Sequence, residues 1–129
     1  MKRTLILVAA GIIIILIGVM ITLHTLIGQS VKENISIAQQ KYSGTTEDAL
    51  ISYLLDEDNS IYNRTHLAIW TLGQIKSEKV LPILKEYYRD DPEGNTCYGK
   101  HDFMLCQYEI YKALNAIEKK RQLTHQRLK

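Results

Sequence analysis

The chain has 129 residues, of which 46% are hydrophobic and 23% charged, and its formal net charge is +2. Beyond Lys2 and Arg3 the chain holds 14 basic and 14 acidic residues and is formally neutral. Because one unbroken apolar block lies at the N-terminal end, roughly 100 residues remain for a soluble part with a single modest core.

Thr4 to Ser30 contain no charged side chain, and Leu5 to Leu23 is almost solid Leu, Ile, Val, Ala and Gly. At about 1.5 Å per residue, a helix over Leu5 to Ile27 exceeds the roughly 30 Å hydrocarbon core, so residues 5–27 are predicted to contact and span a lipid bilayer. Lys2 and Arg3 precede the span, whereas Lys32 and Glu33 after it compensate each other. The positive-inside tendency then predicts a cytoplasmic N-terminus and an extracytoplasmic C-terminal domain, in a bacterial inner or a plasma membrane. A cleaved signal peptide is the competing reading, with Gly28 and Ser30 as small residues near a cleavage point. Signal cores run about 7 to 15 residues, however, and this block is longer. His24, near the far end, is read as interfacial and solvated. Gly11 and Gly18 share a helix face without a small-xxx-small motif, which leaves room for a small accessory subunit whose anchor packs into a larger membrane complex.

Beyond the anchor Pro is nearly absent and apolar residues recur at three and four spacings, so the predicted class is all-α. Val31, Ile35, Ala38 and Tyr42 give a juxtamembrane amphipathic helix within 29–44, ended by Ser43 and Gly44. Thr45 and Asp48 resemble a capping box for a second helix carrying Ala49, Leu50, Tyr53 and Leu54. Asp56 to Ser60 form a turn. A third helix is expected from about Ile61 to Ile75, with Trp70 in the core, and a fourth from near Ser77 with Pro82 in its first turn. Residues 90–101, rich in Asp, Gly and Asn, read as a loop, and a fifth helix is expected from about Asp102 toward Lys120. Residues 119–129 form a basic tail. Residues 29–117 hold 9 basic and 13 acidic groups, whereas 118–129 hold 5 and 1, namely Lys119, Lys120, Arg121, Arg127 and Lys129 against Glu118. The tail is read as a solvated helix end that complements the helix dipole, because no aromatic residue interleaves the charges after Tyr111; anionic headgroups or nucleic acid are the alternatives, and no nucleic-acid partner is expected.

Thr71-Leu72-Gly73-Gln74-Ile75 superposes on Ala113-Leu114-Asn115-Ala116-Ile117 at an offset of 42 residues, and Ala49 to Leu54 on Leu81 to Glu86 at 32. The second unit has thus gained about ten residues, those of the 90–101 insertion. Arg64, Ala68, Leu72, Gly73, Ile75, Val80, Pro82 and Leu84 follow an order of Arg, small and apolar residues, Leu-Gly, then a helix with Pro and Leu. Cys106, Ile110, Leu114, Asn115 and Ile117 form a second match in which Cys replaces Arg and Asn replaces Gly. Over Thr45 to Ile117 the chain resembles the HEAT-repeat superfamily, especially the short HEAT-like repeat of phycobiliprotein lyases and other bacterial proteins. The resemblance implies a short α-solenoid of about two helix hairpins over 45–118, behind an N-terminal capping helix. It also implies a scaffold or adaptor role in protein binding, with Arg64 structural and no lyase chemistry.

Cys97 and Cys106 lie outside the cytoplasm in this topology, so they are expected to form a disulfide. A Zn site of Cys97, His101 and Cys106, beside Asp102, is the alternative, although the Cys-x3-His-x4-Cys spacing matches no specific motif. HEAT-like hydroxylases hold iron with His-Glu pairs. His66, His101 and His125 are followed here by Leu67, Asp102 and Gln126, which argues against that chemistry. No catalytic residue, cofactor or small-molecule substrate is expected. The predicted contact with an unknown protein partner is the insertion, through Tyr88, Tyr98, Lys100, His101 and Phe103. The runner-up is a thiol- or metal-dependent envelope protein using Cys97, His101 and Cys106.

Overall fold

In the computed structural model the backbone is described for residues 2–127 and the side chains for 6–127. Every regular element among them is helical. Helix α1 is Lys2–Lys41 and α2 is Thr46–Leu55. Helix α3, residues 61–74, joins three segments, Ile61–Asn63, a π-helical stretch Arg64–Ile69, and Trp70–Gln74. A 3-10 turn, Glu78–Val80, leads into α4, Leu81–Tyr87, and a second, Asn95–Cys97, precedes α5, Gln107–Arg127.

The chain divides into two compact units, residues 1–33 and 34–129. In the first, α1 contains a segment long and apolar enough to cross a membrane. Its Ile, Leu and Val side chains from Ile6 to Ile27 are exposed. Thr22 and Thr25 turn their hydroxyls back onto the carbonyls of Gly18 and Ile21, both at 2.9 Å. Such bonds satisfy polar groups without water, as an apolar surrounding requires.

In the second unit the amphipathic faces meet in one core, with Ala38, Leu50, Leu54, Ile69, Leu72, Leu84, Ile110 and Ile117 all buried. The capping box is present, because Thr45 Oγ1 accepts from Asp48 N–H while the Asp48 side chain accepts from Thr45 N–H. Lys79 also pairs with Asp48, tying the start of α2 to the turn before α4. Ser60 caps α3 by accepting from Asn63 N–H at 3.2 Å. Pro82 sits in the first turn of α4, where a missing N–H costs nothing.

Three differences from expectation have physical causes. Helix α5 starts at Gln107 rather than Asp102, because residues 101–104 form turns instead, with Phe103 N–H and Met104 N–H both donating to the Lys100 carbonyl. Trp70 is half-buried rather than in the core. It follows the π-helical stretch, whose i to i+5 bonding widens the turn and shifts the phase of every later residue. Helix α5 also continues well past its last buried residue, Ile117, to Arg127.

In chain order α2 packs on α3 and α4 on α5, so that the end of the first helix of each pair meets the start of the second. Each is braced in the same way by a side chain from the early part of its second helix. Arg64 Nε donates to the Leu54 carbonyl at the end of α2, at 2.7 Å. Gln107 Nε2 donates to the Tyr87 carbonyl at the end of α4, at 3.3 Å, while its Oε1 accepts from Arg89 N–H at 2.7 Å. Both side chains are buried. The sequence register had set Cys106 opposite Arg64, yet Gln107, one residue on, performs the equivalent task. Between the hairpins, a Cβ on Gly73 would lie 3.0 Å from both Cα and Cβ of Ala113. Glycine at position 73 is what lets α3 and α5 approach so closely.

Candidate binding surface

Residues 88–106 connect α4 to α5 and carry most of the residues nominated for binding. Asp91 organises the first half of this loop. Its carboxylate accepts from Asn95 N–H at 3.0 Å, Thr96 N–H at 2.8 Å and Thr96 Oγ1 at 2.6 Å. The Thr96 hydroxyl, followed by these main-chain N–H groups, holds the Asp91 carboxyl below the usual range. Gly94, at φ 70°, makes the following turn, and a Cβ there would meet Tyr108 Cβ at 2.8 Å and Cys97 Sγ at 3.1 Å. Only glycine fits both the backbone and the space.

Tyr98 and Gly99 then form the centre of a type II turn. Tyr98 has φ −58° and ψ 118°, Gly99 has φ 69°, and Lys100 N–H closes the turn on the Cys97 carbonyl at 2.9 Å. Such a turn, buried at Cys97 and projecting at Tyr98, leaves the tyrosine 88% exposed. Phe103 is 81% exposed, and Lys100 between them is also at the surface. The structure thus groups Tyr98, Lys100 and Phe103 on one outward loop.

The other two nominated residues are used differently. Tyr88 is half-buried against the core and stacks on Tyr111, with ring centroids 6.1 Å apart. His101 turns inward to His66, at 5.4 Å between ring centroids, and its buried Nδ1 has no hydrogen-bond partner. His66 in turn lies 4.4 Å from the Tyr62 ring. Burial pushes the His66 pKa down, and His101 and Lys112 act the same way against the opposing pull of Glu109.

Cys97 and Cys106 are free thiols, both buried, with Sγ atoms 2.7 Å apart. Cys97 Sγ also donates to the Gly94 carbonyl at 3.2 Å. Burial first, and then the hydrogen bond with Cys97, push the Cys106 thiol up. The geometry brings the two sulfurs to each other and His101 to His66. Among the described residues no three His, Cys, Asp or Glu side chains stand together as a metal set.

Sequence reasoning missed a second feature, a cleft of about 120 Å³ between α3 and α5 lined by Trp70, Gln74, Lys76, Glu109, Lys112 and Ala116. Glu109 and Lys112, one turn apart on α5, pair along its rim at 2.8 Å. The available signal was the i, i+4 series Tyr62, His66, Trp70 and Gln74, a polar and aromatic stripe along one face of the helix.

Protein-family models, curated proteins and solved structures were each compared with the chain. None matches.

Proposed function

We propose that this protein is a membrane-anchored, non-catalytic helical module that binds another protein of its compartment through the Tyr98 to Phe103 loop. The observation that carries the reading is the exposure of two aromatic rings on a loop that its own hydrogen bonds hold in shape. Exposed aromatics on a preorganised support are the groups that dominate protein interfaces, because little entropy remains to be lost when they are covered. The anchor reading draws on the exposed apolar face of α1 and the internally satisfied Thr22 and Thr25 hydroxyls. We place its N-terminus in the cytoplasm on the strength of Lys2 and Arg3. The HEAT-like reading draws support from the two hairpins, in which Arg64 and Gln107 serve the same purpose.

A thiol-chemistry reading is favoured less. Reactive cysteines need an accessible, stabilised thiolate, whereas Cys106 is buried with its pKa raised. The pair suits a structural bridge that would fasten the loop to the start of α5.

The test is a photo-reactive phenylalanine analogue at position 98 of the full-length protein in its native membrane. A discrete protein adduct, diminished by Phe103→Ala without a change in melting temperature, is expected. Absence of any protein adduct would overturn the binding reading.

A further inference from the structure

The second unit is polarised in charge along its helix axes. Three contacts set α5 against α3. Cys106 N–H donates to Thr65 Oγ1 at 3.3 Å, Gly73 backs onto Ala113, and Lys120 Nζ donates to the Lys76 carbonyl at 3.3 Å. The two helices therefore run parallel and end at the same pole. The part of α1 in this unit runs the other way. Lys41 and Tyr42 bond to Asn59 and Asp56 beside the start of α3, whereas Asn34 Nδ2 donates to Thr71 Oγ1 near its end, at 2.9 Å. Asn34 is the first residue of this unit. The chain thus enters this unit at the pole where α3 and α5 end.

Lys76, Lys119, Lys120, Arg121 and Arg127 gather at that pole, and none of them makes an ion pair among the described residues. The single carboxylate of the tail, Glu118, is taken by Lys85 at 2.8 Å. Glu47, Asp48 and Glu78 share the pole, at the start of α2 and the turn before α4, and Lys79 takes Asp48, which leaves the cations in excess. The opposite pole carries Asp56, Glu57, Asp58, Asp90, Asp91 and Glu93, facing fewer cations. Residues 119–127 are all exposed, so roughly 13 Å of α5 extends beyond its packing. Helices this short are marginal alone. Dipole complementation accounts for cations in the last turn only, and leaves Lys119, Lys120 and Arg121 unexplained. Lys76, Lys120, Leu123, Thr124 and Arg127 surround a notch of about 180 Å³, and Leu123 in it is 50% exposed.

We propose that the basic end of α5, with Lys76, docks on anionic phospholipid headgroups of the bilayer that holds the anchor, as a second and reversible membrane contact. The inference rests on the anchor reading, since the anchor keeps the domain at high effective concentration beside the surface. Each Lys or Arg close to an anionic surface adds attraction, and Leu123 supplies an apolar contact.

The experiment places the full-length protein in phosphatidylcholine vesicles with and without phosphatidylglycerol, and follows amide hydrogen exchange over residues 119–127. Alkaline carbonate extraction is run on the same vesicles. Exchange should slow by roughly tenfold or more when phosphatidylglycerol is present, and recover at high salt. In the Lys119→Glu, Arg121→Glu, Arg127→Glu triple variant the slowing should vanish while exchange over 45–117 stays as in the parent. Equal exchange in both vesicle types, fast or slow, in protein that resists carbonate would overturn the headgroup contact and leave the anchor standing. Equal slow exchange would point to a second copy of this chain covering α5. Release by carbonate would overturn the anchor reading and this inference together.

Discussion

Replacing Arg64 with Met keeps most of the aliphatic stem but removes the donor that reaches the Leu54 carbonyl at 2.7 Å. Two effects oppose each other. A guanidinium that is only 8% exposed has lost hydration, and swapping a buried ion pair for apolar residues is often neutral or favourable. The partner here is a main-chain carbonyl that stays in place, so the substitution strands it at the end of α2. A hydrogen bond from a charged donor is worth about 1.5 to 3 kcal/mol net, and we expect a loss of about 2 kcal/mol. For a unit of roughly 100 residues that lowers the melting temperature by about 8 to 16 °C. Gln107→Leu strands the Tyr87 carbonyl and the Arg89 N–H together and should cost about 1 to 3 kcal/mol by the same reasoning. Far-UV circular dichroism melts and urea midpoints of the full-length protein in detergent measure both, with exposed Arg121→Met as the control. If Arg64→Met stays within about 0.5 kcal/mol of that control, Arg64 does not brace its hairpin, and the equivalence of the two hairpins fails.

His66 is held below its ordinary 6.5 chiefly by burial, so the unfolded chain takes up its proton first. Stability should decline as pH falls below about 6.5, and His66→Gln should flatten that part of the urea-midpoint profile. Asp56 is held at about 2 by the Tyr42 hydroxyl first, with Asp58 N–H and Lys41 adding, and Asp48 at about 2 by Lys79 first and Thr45 next, against 3.8 unfolded. A second, steeper decline should follow below about pH 4, and Asp56→Asn should weaken it. Gly94→Ala forces a Cβ into the left-handed region and against Tyr108; a loss of about 1 to 2 kcal/mol and faster alkylation of Cys97 are expected, and unchanged alkylation would refute the fit argument. Mild oxidation with oxidised glutathione should couple Cys97 and Cys106 within one chain, each thiol giving up its hydrogen, and raise stability by about 2 to 4 kcal/mol. Mass spectrometry finding only glutathione adducts or crosslinked dimers would count against an intramolecular bridge.

Features read correctly from the residues depend on local chemistry. Thr45 and Asp48 form their capping box because both partners lie within one turn of chain. Pro82 falls in a first helical turn because its ring permits little else. Gly73, singled out by pattern alone, proves to be a point of close approach to Ala113. Features that depend on distant geometry were less legible. Asn59 is buried because it joins Lys41, the Tyr42 hydroxyl and the Tyr53 carbonyl, a meeting of two helices and a turn that no spacing encodes. Gln107 took over the brace from the position register had given to Cys106, because what the hairpin needs is a donor at the right place, and a polar side chain one residue later reaches it.

The π-helical stretch explains the largest single difference at the candidate surface. A 3.6-residue period carried through Arg64 to Ile69 puts Trp70 on the same face as Leu67, inside. Six residues in the wider winding turn Trp70 outward while Leu67, Ala68, Ile69 and Leu72 stay buried. The indole is thereby moved from the core to the rim of a cleft, next to the Glu109 and Lys112 pair and one turn beyond His66. Helical irregularities of this kind lose hydrogen-bond geometry and persist where something else compensates, and here the compensation includes the Arg64 bond to the end of α2. Removing that brace in Arg64→Met should therefore disturb the cleft as well as the hairpin. A change in Trp70 fluorescence maximum under conditions where the fold is intact would register it, and an unshifted maximum would separate the π winding from the brace.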